Sequence, residues 1–396
     1  MTAFNTTPGD HNSESAGCSE YAIASSTRCT TNSASVVMAG RGPVDITDIA
    51  FKKQEMGVND YLPVIWNFSP SGHTTVNTVL SDKYLYVGSM GSVYRLAKHK
   101  GDKQAEQPLK GYGVREVSLA ISEDATLLYV ATSGYLISLD PISLAIQWYR
   151  AVPDWNDKIR ILLKKDRIYT GSGGTLHAWT LNGVIIKKQS ITMGCADIRI
   201  DICPDAGILV AGTSGLISAF ELPDLSSLRW SQRVPNEGGS ETTAVACGDD
   251  VVYAADAGWI YQLDATDSGE ILNKQDFTSS AGTAEVNLTL VKSLNRLYAG
   301  CNGYGICMEA DTLKAIYITN LVSSGSSVTS VLAVGFTAIF GSKGRVFQLD
   351  ANGDLVAANQ LSGYGSGNVS LAFQAPYRLW ACPAGYVVAM IMLELP

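Results

Sequence analysis

Polar residues recur in pairs, two positions apart, at the head of several strand-like segments. Lys158 pairs with Arg160, Asp197 with Arg199, Glu285 with Asn287 and Asn368 with Ser370, and Arg115 and Glu241 lie close to such pairs. Alternation puts both members of a pair on one side of an extended strand. Just ahead of them run Gly/Ser-rich stretches that carry a single large or polar side chain: His73, Tyr112, Trp155, Glu237 and Tyr364. Cations and hydroxyls gathered at one mouth can polarise a carbonyl or hold a developing oxyanion, and flat rings can stack on a flat ligand. On this reading Arg160, Arg199, Lys158 and Tyr112 are the donors. Trp155, Tyr364, His73, Asp197, Glu241, Glu285 and Asn287 would line the ligand. The same residues could equally be salt bridges and caps between neighbouring elements.

Motifs for covalent or metal chemistry are missing. There is no GxSxG elbow, Walker loop or HExxH, so a nucleophile, a nucleotide phosphate or a zinc-bound water has no recognisable cradle. Of the histidines, His11 falls near the N-terminus, His99 in a basic stretch and His177 inside a strand, leaving His73 alone near the polar pairs. Asp264–Glu270 and Asp350–Asp354 have the carboxylate density of calcium loops, but both sit where a chain reversal is expected. Asp, Asn and Gly are ordinary turn residues there. No metal and no cofactor are expected.

The elements that carry these residues are repeats. Aligned on a turn glycine, one phrase recurs: YLYVGSMGSVYRL, LLYVATSGYLISL, RIYTGSGGTLHAW, ILVAGTSGLISAF, VVYAADAGWIYQL, RLYAGCNGYGICM, AIFGSKGRVFQL and LWACPAGYVVAM. The glycines are Gly91, Gly134, Gly174, Gly215, Gly258, Gly303, Gly344 and Gly385, separated by 43, 40, 41, 43, 45, 41 and 41 residues. A period of this length with alternating apolar residues predicts propeller blades of four short strands, A to D, the phrase itself being the B–C hairpin. The fold class is therefore all-β, an eight-bladed β-propeller of four-stranded antiparallel blades. The last repeat has no strand D before Pro396, while PVIWNF (Pro63–Phe68) matches the D phrases AIQWYR and LRWSQR. The ring is expected to close by this N-terminal strand completing the last blade. In such a ring the D–A loops and B–C turns share one face, around the mouth of the central channel.

A net charge of −8 over 396 residues argues against nucleic acid as a partner. The densest basic run, Lys98–Lys110, is diluted by Asp102 and Glu106 and reads as a solvated outer strand or loop. The C-terminal apolar run Val387–Leu393 is far shorter than the roughly 20 residues of a membrane span. No secretory signal is visible at the N-terminus. The eight cysteines are scattered without metal spacing, and Cys301 and Cys307 fall out of register on their hairpin, so free thiols and a cytoplasmic location are expected. The sequons at Asn5, Asn67, Asn287 and Asn368 are read as chance matches. Thr2–Gly40 is rich in Ser, Thr, Asn, Ala and Gly. Residues 1–60 are read as a flexible extension, a lid or partner-binding tail being the functional alternative, and residues 61–396 as the propeller.

Over Tyr61–Pro396 the repeat resembles the PQQ-like (quinoprotein alcohol-dehydrogenase-like) eight-bladed propellers, whose blade motif runs alanine–x–aspartate–x–x–threonine–glycine–x–x–x–tryptophan. LDPISLAIQW keeps Asp140 and Trp148, and MEADTLKAIY keeps Glu309 and Tyr317; the pattern is degraded at Leu181–Lys187 and Asp350–Ala358. That family's adjacent Cys–Cys pair is absent, so the resemblance implies the fold and counts against a bound quinone. WD-repeat character is weaker, since no blade ends in Trp-Asp. In size, architecture and lack of cofactor motifs the chain also looks like the propeller enzymes of fungal secondary metabolism that catalyse hetero-Diels–Alder couplings in tropolone–sesquiterpenoid pathways. That resemblance implies a cofactor-independent pericyclase acting by proximity and carbonyl polarisation at the channel mouth. Two classes of function stay open. One is an enzyme enclosing a small, partly apolar ligand. The other is a non-catalytic scaffold presenting a face to a protein partner.

Overall fold

The hairpin that organises each repeat forms as its alternation dictates. In the third repeat Arg167–Ser172 pairs antiparallel with Thr175–Thr180, from Arg167 opposite Thr180 to Ser172 opposite Thr175. Gly173 and Gly174 close it with φ of 56° and 73°, the doubly left-handed turn whose twist matches that of the strands. A computed structural model of the chain describes residues 62–70, 75–155, 158–191, 197–234, 243–321, 328–361, 363–364 and 367–392. The predicted leader (1–60) and the candidates His73, Glu237 and Glu241 lie outside the described residues.

Eight four-stranded antiparallel sheets follow one another along the chain, each with its strands in sequence order from the inner A to the outer D. The eighth blade is the exception that closes the ring. Its strand A is Ser370–Gln374, and its outer strand is the N-terminal Val64–Phe68, paired with Val387–Ile391. The only α-helical turn among the described residues is Thr278–Ala281, between the fifth and sixth blades. No described helix is long and apolar enough to cross a membrane.

The core is divided among the seams between blades, and the seams alternate. At one register position of strand D stand Trp66, Trp148, Trp230 and Tyr317, opposite the small residues Ala389, Ser138, Ala219 and Cys307 of strand C. These four belong to blades 8, 2, 4 and 6. Each ring lies on a glycine in the next blade's C–D turn, respectively Gly101, Gly183, Gly269 and Gly353. The intervening blades carry Ala105, Lys187, Asn273 and Ala357 at the same position. After blades 1, 3 and 5 the seam is filled from the other side by a leucine of the following blade's turn, Leu144, Leu225 and Leu313, all fully buried. The motif that looked degraded at Leu181–Lys187 and Asp350–Ala358 is thus the partner half of a two-blade repeat, whose glycine turn receives a ring instead of supplying one.

Two expectations are corrected here. Cys203 and Cys247 form a disulfide between the ends of strand A in blades 4 and 5, so the thiols are not all free. Cys301, Cys307 and Cys382 are buried and form no disulfide, and burial pushes Cys301 up to about 12 and Cys307 up to about 11, which keeps both of these thiols protonated and unreactive. In the basic run, strand D of blade 1 (Lys103–Pro108) is exposed as expected. Lys98 is buried, however, with its ammonium donating to the Ser81 carbonyl and to Gln374. Desolvation pulls its pKa down to about 8.

His177 is fully buried on strand C of blade 3, its ring 5.7 Å from that of Trp179, and neither ring nitrogen has a hydrogen-bond partner among the described residues. Burial, aided by nearby Lys188, pushes its pKa down to about 4. The unfolded chain, with an ordinary imidazole, takes up the proton first as pH falls. Stability is therefore full above about pH 6.5 and is lost progressively towards pH 4, on the order of 2–3 kcal/mol for this one group. Denaturant titrations across that range should show the slope, and His177→Leu should flatten it.

Candidate functional site

The channel wall is built from one register position repeated eight times. Opposite the residue three before each turn glycine stand Asn77, Ser118, Arg160, Arg199, Ala244, Asn287, Ser330 and Ser370. The facing residue is small because the next blade's strand A backs onto it: a Cβ at Gly212 or Gly300 would lie 2.5 or 2.3 Å from the Thr243 or Thr329 carbonyl oxygen. The wall residues then reach around the ring. Asn77 and Asn287 donate to the carbonyls of Val117 (2.8 Å) and Thr329 (3.1 Å) in the following blade. Ser330 and Ser370 donate likewise to Val369 and Val76.

The charged quarter of the ring does the same with longer side chains. Lys158 meets Glu116 at 3.4 Å, and Glu116 also accepts from Asn77. Arg160 grips Asp197 through two nitrogens, Nη2 to Oδ2 at 2.7 Å and Nε to Oδ1 at 3.3 Å. Arg199 passes over blade 5, where Ala244 offers no polar group, and pairs with Glu285 of blade 6. Three cations meet three carboxylates, all largely buried. Desolvation alone would push Asp197 up, but Arg160 and Arg199 more than offset it and hold the carboxyl down to about 2. Burial works against the Arg160 charge too, yet Asp197 raises its pKa. The Asp197 pairing is present above the ordinary carboxylate range and is lost as pH falls towards 2. Beneath the network lies a cavity of about 70 Å³ that includes Asn77, Ser118, Arg160, Arg199 and Asn287 in its wall.

The structure thus brings together Lys158, Arg160, Asp197, Arg199 and Glu285, with Asn287 on the same ring. The aromatic candidates Tyr112, Trp155 and Tyr364 are not among the residues that line the cavity. Tyr112 is wedged against Tyr135 and the outer-strand Tyr149, with centroids 5.3 and 4.9 Å away. Trp155 lies on the B–C turn of blade 2 at Gly134, under the Arg115 guanidinium. Tyr364 accepts a hydrogen bond from Asn67 of the closing outer strand and packs edge-on against Tyr386. Sequence reasoning missed Asn77, Ser118 and Glu116. The first two are found by counting three residues back from each turn glycine and taking the strand A partner; Glu116 lies two residues before Ser118. Asp264 and Asp350 spend their carboxylates on their own turns, accepting from Thr266 and from the amides of Asn352 and Asp354. Among the described residues no group of three or more His, Cys, Asp or Glu could hold a metal.

Fold and ring together define the class: an eight-bladed β-propeller whose blades are stapled around the channel by side chains. No family model matches the chain, and no curated protein matches it. Solved structures do. BamB from Moraxella catarrhalis is 17% identical over 85% of this chain and 99% of that one, with a TM-score of 0.64. The C-terminal WD40 domain of Sif2 is 13% identical over 85% of this chain and 100% of its own length, with a TM-score of 0.67. A quinohemoprotein alcohol dehydrogenase from Comamonas testosteroni is 13% identical, covering 85% of this chain and 78% of that one at a TM-score of 0.61. At these identities the likeness is one of fold.

Proposed function

We propose that the protein is a binding propeller, a non-catalytic scaffold that presents a loop face to a protein partner. The observation that carries this is the pairing of the candidate polarising cations: Lys158, Arg160 and Arg199 each meet a carboxylate from another blade. Buried pairs of this kind set which blades sit side by side more than they activate a substrate. The space they leave, about 70 Å³, compares with roughly 300–1,000 Å³ for pockets that enclose a ligand. Two ring-bearing reactants of a cycloaddition need such a pocket; water and very small polar solutes do not. The disulfide removes the thiol argument for a cytoplasmic location and favours a compartment where disulfides persist.

The test compares single and paired replacements. Arg160→Ala strands a buried Asp197 and should cost about 3 kcal/mol of stability. Arg160→Met/Asp197→Leu removes both charges and should regain most of that loss. Denaturant unfolding measures it. If native mass spectrometry finds a small molecule co-purifying with the wild type and lost from a fully stable double variant, the channel is a ligand site and the enzyme reading replaces this one.

A further inference from the structure

Every blade ends in an outer strand whose far side pairs with no other strand among the described residues. Such an edge is open to any extended chain, and proteins guard it with charge or cover it. Blades 1 to 5 use charge. Their outer strands carry Lys103 and Glu106, Arg150, Lys187 and Lys188, Arg229 and Arg233, and Lys274 and Asp276. Blades 6, 7 and 8 carry none: Ala315–Asn320 reads AIYITN, Leu355–Gln360 reads LVAANQ and Val64–Phe68 reads VIWNF. The unguarded edges are neighbours in the ring. Each leaves an apolar side chain open, with Ile318 40% exposed, Leu355 44% and Ile65 39%.

The N-terminal part of the chain joins the ring in this same sector. Residues 1–61 precede Leu62 and lie outside the described residues. Leu62 is fully buried in the apolar cluster that joins blades 7 and 8. Its carbonyl accepts from the side-chain amide of Asn359, on the outer strand of blade 7. The upstream chain therefore departs beside the blade 7 edge. The nearest upstream run with strand chemistry is 44–51, VDITDIAF, where Val44, Ile46, Thr47, Ile49 and Phe51 are β-branched or aromatic. Residues 52–61 link that run to Leu62 and can span up to ~35 Å. The six-residue edge Leu355–Gln360 is shorter, at ~20 Å, so the run can turn back and lie antiparallel to it. We propose that residues 44–51 add to blade 7 as a fifth, antiparallel strand, so that the unguarded edge is covered by the protein's own N-terminal segment. Asp45 and Asp48 then place on the new edge the charge that Leu355–Gln360 lacks, and this sector is closed to strand pairing by a second chain. The proposal stands apart from what the loop face or the channel binds.

Hydrogen exchange of the full-length protein tests it. The variant Ile46→Pro/Ile49→Pro removes two ladder donors from the segment and alters no described residue. Amides of Leu355–Gln360 should exchange at least tenfold faster in the variant than in the wild type, while Lys103–Pro108 and Leu228–Arg233 keep their rates. A synthetic peptide of residues 43–54, added in excess to the variant, should restore the lost protection. A fluorescein-labelled copy should bind the variant, whose edge is free, and not the wild type, whose edge is filled. Equal exchange at Leu355–Gln360 in the two proteins would overturn the proposal, as would a peptide that restores nothing or binds both alike. Faster exchange at another blade's outer strand instead would place the segment elsewhere and sink it too. Protection that the wild type loses on dilution, with dimers in sedimentation, would make a second copy the occupant and equally overturn it.

Discussion

Trp230→Ala is expected to destabilise the propeller by about 3–5 kcal/mol, the usual cost of emptying a buried tryptophan site. The size follows from where the ring sits. Trp230 is 5% exposed, its indole nitrogen donates to the Ala265 carbonyl of the next blade at 3.2 Å, and its face covers Gly269. Asn273→Ala, at the equivalent position of blade 5, empties no buried site and loses one exposed hydrogen bond, from the Asn273 amide to the Thr312 carbonyl of blade 6 at 2.6 Å, and should cost about 1 kcal/mol. Gly269→Ala attacks the same contact from the other side. At φ 65° the new methyl is strained, and it would fall 2.3 Å from the Trp230 ring, so a loss of similar order is expected. Urea unfolding of the three variants decides the matter. Equal losses at Trp230 and Asn273 would mean that the seams do not alternate and that the two-blade repeat is only a pattern of letters.

That alternation also shows where sequence reading stopped. The period, the hairpins and the closing strand were legible because each rests on local chemistry: a turn that needs positive φ, strands that alternate, and a D-like phrase left over at the wrong end. The polar pairs at the channel were legible for the same reason, since Lys158 and Arg160 stand two apart on one strand. What each side chain meets was not. Arg199 finds Glu285 at a separation of 86 residues by skipping a blade, and no period announces that. Tyr112 and Trp155 lie in the expected loops, but only the packing shows that Tyr112 meets Tyr149 and that Trp155 covers the Gly134 turn. The seam alternation was written in the sequence as glycine turns against DPISL, LPDL and ADTL turns, and it looked like decay because a single-blade motif was the template.

The disulfide carries the other large effect. Cys203 and Cys247 end equivalent strands in consecutive repeats, so their closeness follows from the fold once the period is known. They join the seam between blades 4 and 5, where the wall position of blade 5 is Ala244, a residue with no polar side-chain group. The Asp201 carboxylate adds one contact there, accepting from the Cys247 amide at 3.0 Å. With a sequence separation of 44, the chain-entropy relation gives about 4 kcal/mol lost from the unfolded ensemble's freedom. Cys203→Ala/Cys247→Ala should therefore lower the unfolding free energy by about that amount, and mild reduction of the wild type should do the same. For a domain of this size the melting temperature should fall by about 5 °C. Hydrogen exchange should rise most in the strand A segments Arg199–Cys203 and Ala244–Cys247, because the opening is local to one seam. Alkylation mass spectrometry before and after reduction counts the thiols directly. If Cys203 and Cys247 are already alkylated in the unreduced, folded protein, the bridge is absent in solution, the double variant should melt with the wild type, and the argument for an oxidising compartment falls with it.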